Sequence, residues 1–165
     1  LPDCPAGYYR SAIVVRADHP RTQVSAFKDA TFAYNQTFSQ SGYAAPFWHV
    51  KPHGFWFENR LQTEQHLASA RAVATGHADI ASLDAVTWRN IEKYEPFATD
   101  LRVLEWTKPT PGLPLITALG QNAELIFQAV LGAIGDMDQH ARELLGIQSI
   151  VKIPKDAYQS VRNPD

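Results

Sequence analysis

Ala74-Thr75-Gly76-His77-Ala78-Asp79-Ile80-Ala81-Ser82-Leu83-Asp84 (residues 74–84) decides the fold. Gly76 stops a helix. Ala78 to Leu83 is an apolar run of strand length. Asp84 stands where the next helix needs an N-cap. Upstream, Thr63 is placed to cap a helix from Glu64 to about Thr75, with Leu67, Ala70, Val73 and Ala74 at three- and four-residue spacing. Downstream, Ala85 to Lys93 predicts a short helix ended by Pro96, and Leu101 to Trp106 another strand. Strands alternating with helices imply βα units, an α/β class and a mostly parallel sheet flanked by helices.

The same alternation extends both ways. Ser11-Ala12-Ile13-Val14-Val15-Arg16 reads as a buried strand ended by Asp18-His19-Pro20. Val24 to Asp29 fits one helical turn, and Thr31-Phe32-Ala33-Tyr34-Asn35 a second strand. A helix follows Ser41 and should end before Pro52. Gly54 breaks the chain, and Phe55-Trp56-Phe57 should be extended. Lys108 to Pro114 is a proline-rich, stiff crossing. Leu115 to Ala118 is expected to be extended. Asn122 to Ile134 and Asp136 to Leu145 predict amphipathic helices, the second closed by Gly146, and one turn is expected around Ala157 to Val161. The crossing divides the chain into residues 8–107, a ligand-binding lobe, and residues 108–165, whose helices belong to a neighbouring body.

The 165 residues, 45 % of them hydrophobic, suit one domain or two small lobes with a real core. A net charge of −2 gives no reason to expect nucleic acid or a membrane surface as partner. No apolar run approaches the roughly 18 residues of a membrane span. The chain opens Leu1-Pro2-Asp3-Cys4-Pro5, with no Met, basic n-region or apolar h-region. A removed leader or a fragment is the expectation. Cys4 is the sole cysteine, so it is a free thiol or pairs outside this chain.

Open α/β sheets bind ligands beyond the carboxyl ends of their strands. Three such corners carry polar residues. Ser39-Gln40-Ser41-Gly42 offers hydroxyls and a glycine before a helix, which serves an anion or a simple cap. His66 sits at a second helix start, where its proton is adjustable near neutral pH. Asp84 at the third is an N-cap or an acceptor for a ligand's amine or hydroxyl. Three corners on one sheet edge are harder to obtain from capping alone.

Catalytic readings are weaker. No G-x-S-x-G, G-x-x-x-x-G-K-[ST] or H-E-x-x-H occurs. Ser41, His66 and Asp84 are the residue types of a hydrolase triad, but at three separate helix starts. His49 and His53 have zinc-ligand spacing, but Pro52 lies between them and no further ligand is near. No catalytic residue, metal or cofactor is called.

The chain resembles the PhnD-like periplasmic substrate-binding components of phosphate/phosphonate ABC transporters, of the type 2 periplasmic-binding fold. The likeness rests on Tyr9 to Arg16, Ser39-Gln40-Ser41-Gly42, Thr63-Glu64-Gln65-His66, Ala74 to Asp84 and Pro111-Gly112-Leu113-Pro114. It implies two lobes closing on a small oxyanion without catalysis. Ligand contacts fall at Ser39, Gln40, Ser41, Gly42, His66 and Asp84, delivery is to an ABC transporter permease, and the location is periplasmic. A ligand-sensing domain of a signalling or transcriptional regulator shares the fold and is the alternative. The family often has Gly-Ser before its histidine, where this chain has Glu64-Gln65, and an acidic residue there is expected to disfavour a doubly charged phosphonate. The family's first-lobe strands, which supply the other wall and an aromatic contact, are expected to lie outside this chain. Residues 108–165 would then be the return crossing and the C-terminal helices of that first lobe. One wall alone is expected to bind weakly.

Overall fold

The computed structural model describes residues 4–164; Leu1-Pro2-Asp3, part of the leader reading, and Asp165 lie outside the described residues. Five strands form the central sheet: β2 (Ser11–Arg16), β3 (Phe32–Tyr34), β4 (Arg60–Gln62), β5 (Ile80–Asp84) and β6 (Leu101–Trp106), in the order β4-β3-β5-β2-β6. A separate antiparallel pair joins β1 (Tyr8–Tyr9) to β7 (Thr110–Pro111). Five α-helices follow in chain order: α1 (Ala45–Val50), α2 (His66–Ala74), α3 (Ala85–Tyr94), α4 (Ala123–Asp136) and α5 (Gln139–Leu145).

The α/β class holds, and β3, β4 and β5 are parallel neighbours. The expectation of a mostly parallel sheet needs one correction. β2 is antiparallel to both β5 and β6, so four strands point one way and β2 runs against them. An apolar run buried on both faces looks the same in either direction. Here β2 enters directly from β1, so its first residue lies at the edge where β5 ends, and Ser11 is in register with Asp84.

The pleat divides β2 between two cores. Ala12 and Val14 meet Ala70, Val73, Leu83, Trp88 and Ile91 beneath α2 and α3. Ile13 and Val15 meet Val24, Phe27, Phe32, Val50 and Phe57 on the opposite face. Phe32 stacks on Phe57 at 4.7 Å between ring centroids and meets Trp56 edge-on at 5.4 Å. Phe55-Trp56-Phe57 therefore fills core, and the strand of this region begins three residues later as β4.

Thr63 does not cap α2. The helix starts at His66, with Gln65 at the cap position and no side-chain bond to it. Thr63 Oγ1 instead reaches the carbonyls of Tyr34 and Gln65, both at 3.1 Å, and Ser69 Oγ at 2.7 Å. Between them Glu64 takes φ +66°, the only left-handed non-glycine among the described residues. That is the conformation glycine adopts without a Cβ clash, and it explains why a glycine suits this position.

Beyond β7 the predicted helices form where expected. Asn122 Oδ1 caps α4 through Glu124 N and Leu125 N, Asp138 Oδ1 caps α5 through Ala141 N, and Gly146 ends α5 at φ +68°. Neither helix buries a residue. Leu115 to Ala118 pairs with no described strand. No described helix is long and apolar enough to cross a membrane.

Candidate functional site

β3, β4 and β5 lie side by side and end at one edge of the sheet. Each is followed by a helix start carrying one of the polar corners read from the sequence. After β3, Ser39 opens a wide turn (Gln40–Ala44) in which the Ser39 carbonyl accepts from Tyr43 N at 3.2 Å and Ala44 N at 3.0 Å. This turn runs directly into α1. After β4 comes His66, and after β5 comes Asp84.

Within the first corner, Ser39 Oγ accepts from Gly42 N at 3.0 Å, an N-cap that leaves its hydroxyl proton to donate. Ser41 is buried; its carbonyl accepts from Ser82 Oγ at 2.7 Å, and its Oγ lies 3.0 Å from His66 Nε2. Gly42 has no room for a side chain: a Cβ would stand 1.9 Å from Asn35 Oδ1 and 3.2 Å from His66 Cε1. Glycine is required here by close approach.

His66 is held below its ordinary pKa, first by burial; the Asp84 charge and the nearby Ser82 carbonyl oppose the shift. It is therefore neutral at pH 7. Its Nδ1 and Asn35 Oδ1 are buried without a full hydrogen-bond partner. With the proton on Nδ1, which is buried, the Ser41 hydroxyl donates to Nε2 and its proton is not free for another partner. With the proton on Nε2, the ring donates to Ser41 and frees the serine hydroxyl proton.

Asp84 caps α3 through Oδ1, accepting from Val86 N and Thr87 N, each at 2.9 Å. The sequence reading missed Tyr9. The reversed β2 brings it to this edge, where its hydroxyl donates to Gln40 Oε1, while Gln40 Nε2 donates to Thr110 Oγ1 at 3.0 Å. Burial and the Asp84 charge push the phenol up to about 12, against a hydrogen bond with Ser41. Tyr9 thus stays protonated and ties β1, the Gln40 turn and β7 together. The direction of β2 was the signal needed to find it.

The six sequence-derived residues thus occupy one edge, and Ser41, His66 and Tyr9 form its interior. Ser41 and His66 stand at the distance of a nucleophile and its base, but no carboxylate bonds the far nitrogen of His66. Asp84 instead serves as a helix cap. The arrangement is a set of donors around buried partners. His49, the first of the zinc-spaced pair, bonds Glu105 Oε2 at 2.9 Å, while His53 is exposed.

A family model described as the periplasmic phosphonate substrate-binding protein of an ABC transporter matches residues 5–158. No curated protein sequence matches. Among solved structures, the chain is similar to a binding protein component of an ABC phosphonate transporter from Pseudomonas aeruginosa, at TM-score 0.69 and 22 % identity over 86 % of this chain and 50 % of that one. PhnD1 from Prochlorococcus marinus, solved with methylphosphonate, matches at TM-score 0.59 and 20 % identity over 64 % of this chain and 43 % of that one. The Synechocystis CcmR regulatory domain, solved with 2-PG, matches at TM-score 0.55 and 19 % identity over 76 % of this chain and 61 % of that one. The chain spans about half the length of the Pseudomonas relative.

Proposed function

This chain belongs to the family of periplasmic phosphonate substrate-binding proteins of ABC transporters, and from that premise we propose that it captures a small oxyanion, a phosphonate or phosphate, for delivery to an ABC permease outside the cytoplasmic membrane. One observation carries the reading. Three adjacent parallel strands end at one edge, and their following turns bring Ser39, Gln40, Ser41, Gly42, His66 and Asp84 together.

The chemistry suits an oxyanion. Serine hydroxyls, a neutral imidazole and the first backbone N–H groups of the continuous helical segment 40–50 are donors that need no counter-charge to be buried with. Asp84, its Oδ1 committed to the cap, supplies an acceptor for an amine or hydroxyl on the same ligand. Residues 8–107 form the binding lobe in this reading. Residues 108–165 carry the return crossing and helices that lie against the other lobe, consistent with α4 and α5 burying nothing of their own.

Calorimetry on the natural full-length polypeptide tests the proposal, with methylphosphonate, phosphate, phosphite and a sulfonate as titrants. Heat from at least one is expected, and no heat from any rejects the ligand class. Ser41→Ala should weaken binding by roughly 1–3 kcal/mol, the penalty for an acceptor left without its partner; an unchanged affinity removes Ser41 from the site.

A further inference from the structure

Residues 150–164 contribute to neither core, yet they touch the lobe at three separate places. Val151 and Ile153 cover Gly7, which sits at φ +77° beside β1; a Cβ there would stand 2.3 Å from Val151 Cγ2 and 3.0 Å from Ile153 Cδ1. Gly7 in turn is bonded across the β1–β7 pair, its carbonyl accepting from Gly112 N at 2.8 Å. The turn Lys155–Val161 then packs against β7. There Ser160 and Val161 close one side of a cavity of about 400 Å³ whose other walls include Gln40, Trp48 and Thr110.

The last contacts reach the ligand element itself. The Arg162 carbonyl accepts from Trp48 Nε1 at 3.1 Å. Asn163 Nδ2 donates to the Thr37 carbonyl at 3.2 Å. Thr37 lies two residues before Ser39, and Trp48 lies in α1, the helix that the Ser39 turn feeds. The two bonds hold the ligand element at both ends, 37 and 48, while the start of the same segment sits on the β1–β7 pair.

We propose that residues 150–164 are a brace that positions segment 37–50 for the oxyanion and couples it mechanically to the β1–β7 pair, with Trp48 and Asn163 as its positioning residues. The backbone of residues 35–39 has few ladder bonds of its own, so its order depends on what leans on it. A hydroxyl displaced by a fraction of an ångström loses hydrogen-bond geometry with the ligand. The brace therefore sets affinity without touching the anion.

The proposal rests on residues 39–42 being the ligand element, so its test has a ligand-free readout. Amide hydrogen exchange is measured by mass spectrometry on the natural chain, on Asn163→Ala with Trp48→Phe, and on Val161→Glu, which places a carboxylate in the apolar cavity. Exchange in residues 37–50 should accelerate about three- to fivefold, the summed cost of two exposed hydrogen bonds to local opening, while β2 and β5 keep their protection. Binding of methylphosphonate or phosphate should weaken about two- to fivefold in parallel, and Asn163→Gln, which keeps the donor, should recover part of it. If exchange rises in residues 155–164 but not in 37–50, or rises uniformly across the chain, the brace is overturned. If the natural chain binds no oxyanion, the functional reading fails, and the exchange result still judges the brace.

Discussion

α3 and α4 are built from the same local signals and end in opposite situations. Each opens on a side-chain cap, Asp84 for α3 and Asn122 for α4, and each carries apolar residues at helical spacing. α3 buries Trp88 and Ile91 against the sheet. α4 buries nothing, and Leu125 is 67 % exposed. Caps and propensity specify that a helix forms; they do not specify what covers it. The comparison separates elements that pack on the sheet from α4 and α5, whose apolar faces meet no described partner.

The largest effect should come from the packed side. Leu83 is fully buried in β5. Leu83→Ala should cost about 2–5 kcal/mol in urea unfolding, through lost transfer energy and a cavity. Leu125→Ala, cut from an exposed position, should stay within about 0.5 kcal/mol. Measured on these 165 residues alone, a cost at Leu125 approaching that at Leu83 would break the comparison, because α4 would then be covered without the other lobe.

The next effect sharpens the contrast within the packed side. Gly42→Ala must displace Asn35, whose Oδ1 occupies the place of the new Cβ. Overpacking of this kind should cost about 1–3 kcal/mol and should also abolish oxyanion binding, because the same shift moves Ser41 and His66. By contrast, Gly132 in α4 has open space around its Cβ position, and Gly132→Ala should stabilise the helix by about 0.5–1 kcal/mol. Thermal unfolding of the two variants gives opposite signs if the comparison is right.

The sequence reading fared differently on the two sides for physical reasons. Strands β2 and β5 were legible because apolar runs must be buried, and β6 because Leu101, Val103, Leu104 and Trp106 follow a proline-ended helix with strand-forming side chains. β4 was not, because Arg60-Leu61-Gln62 is a short edge strand with two exposed polar residues. Thr63 was misread as a cap because a hydroxyl three residues before His66 looks the same whether it bonds the helix or, as here, the Tyr34 carbonyl of the neighbouring strand. The corners at Ser39–Gly42, His66 and Asp84 were visible because helix starts leave local marks. Tyr9 was invisible until β2 was seen to run against its neighbours. The burial of α3 and the exposure of α4 were equally beyond reach, since both depend on partners distant in sequence.

Acid titration probes the buried edge more gently. Burial holds His66 below its ordinary value of 6.5 in the folded state. As pH falls, the unfolded chain therefore takes up this proton before the folded chain does, and folding stability drops. The contribution is complete above about pH 6.5 and is lost progressively as pH falls toward the lowered folded value. Melting temperatures measured from pH 7.5 to 5 should fall less steeply in His66→Gln than in the natural chain. Equal slopes would show that the imidazole titrates freely and is not buried beside Ser41.

The smallest expected effect lies at Glu64, where the packed edge carries strain. Its left-handed backbone costs a non-glycine residue roughly 1–2 kcal/mol, and Glu64→Gly removes that. Two terms oppose the gain. Glycine loses about 0.5–1 kcal/mol more backbone entropy on folding. The substitution also deletes bonds from Gln62 Nε2 at 2.7 Å and Gln36 Nε2 at 3.1 Å to the Glu64 carboxylate. Both bonds are exposed, where water replaces them at small cost. The terms nearly cancel, so urea unfolding should register a change within about 0.5 kcal/mol. Glu64→Ala is the informative partner, because it deletes the same bonds and keeps the Cβ clash. If Glu64→Gly is more stable than Glu64→Ala, the left-handed turn leading into His66 is the conformation present in solution; if Glu64→Ala is the more stable, the chain enters α2 by another path and His66 is not held where the Ser41 contact needs it.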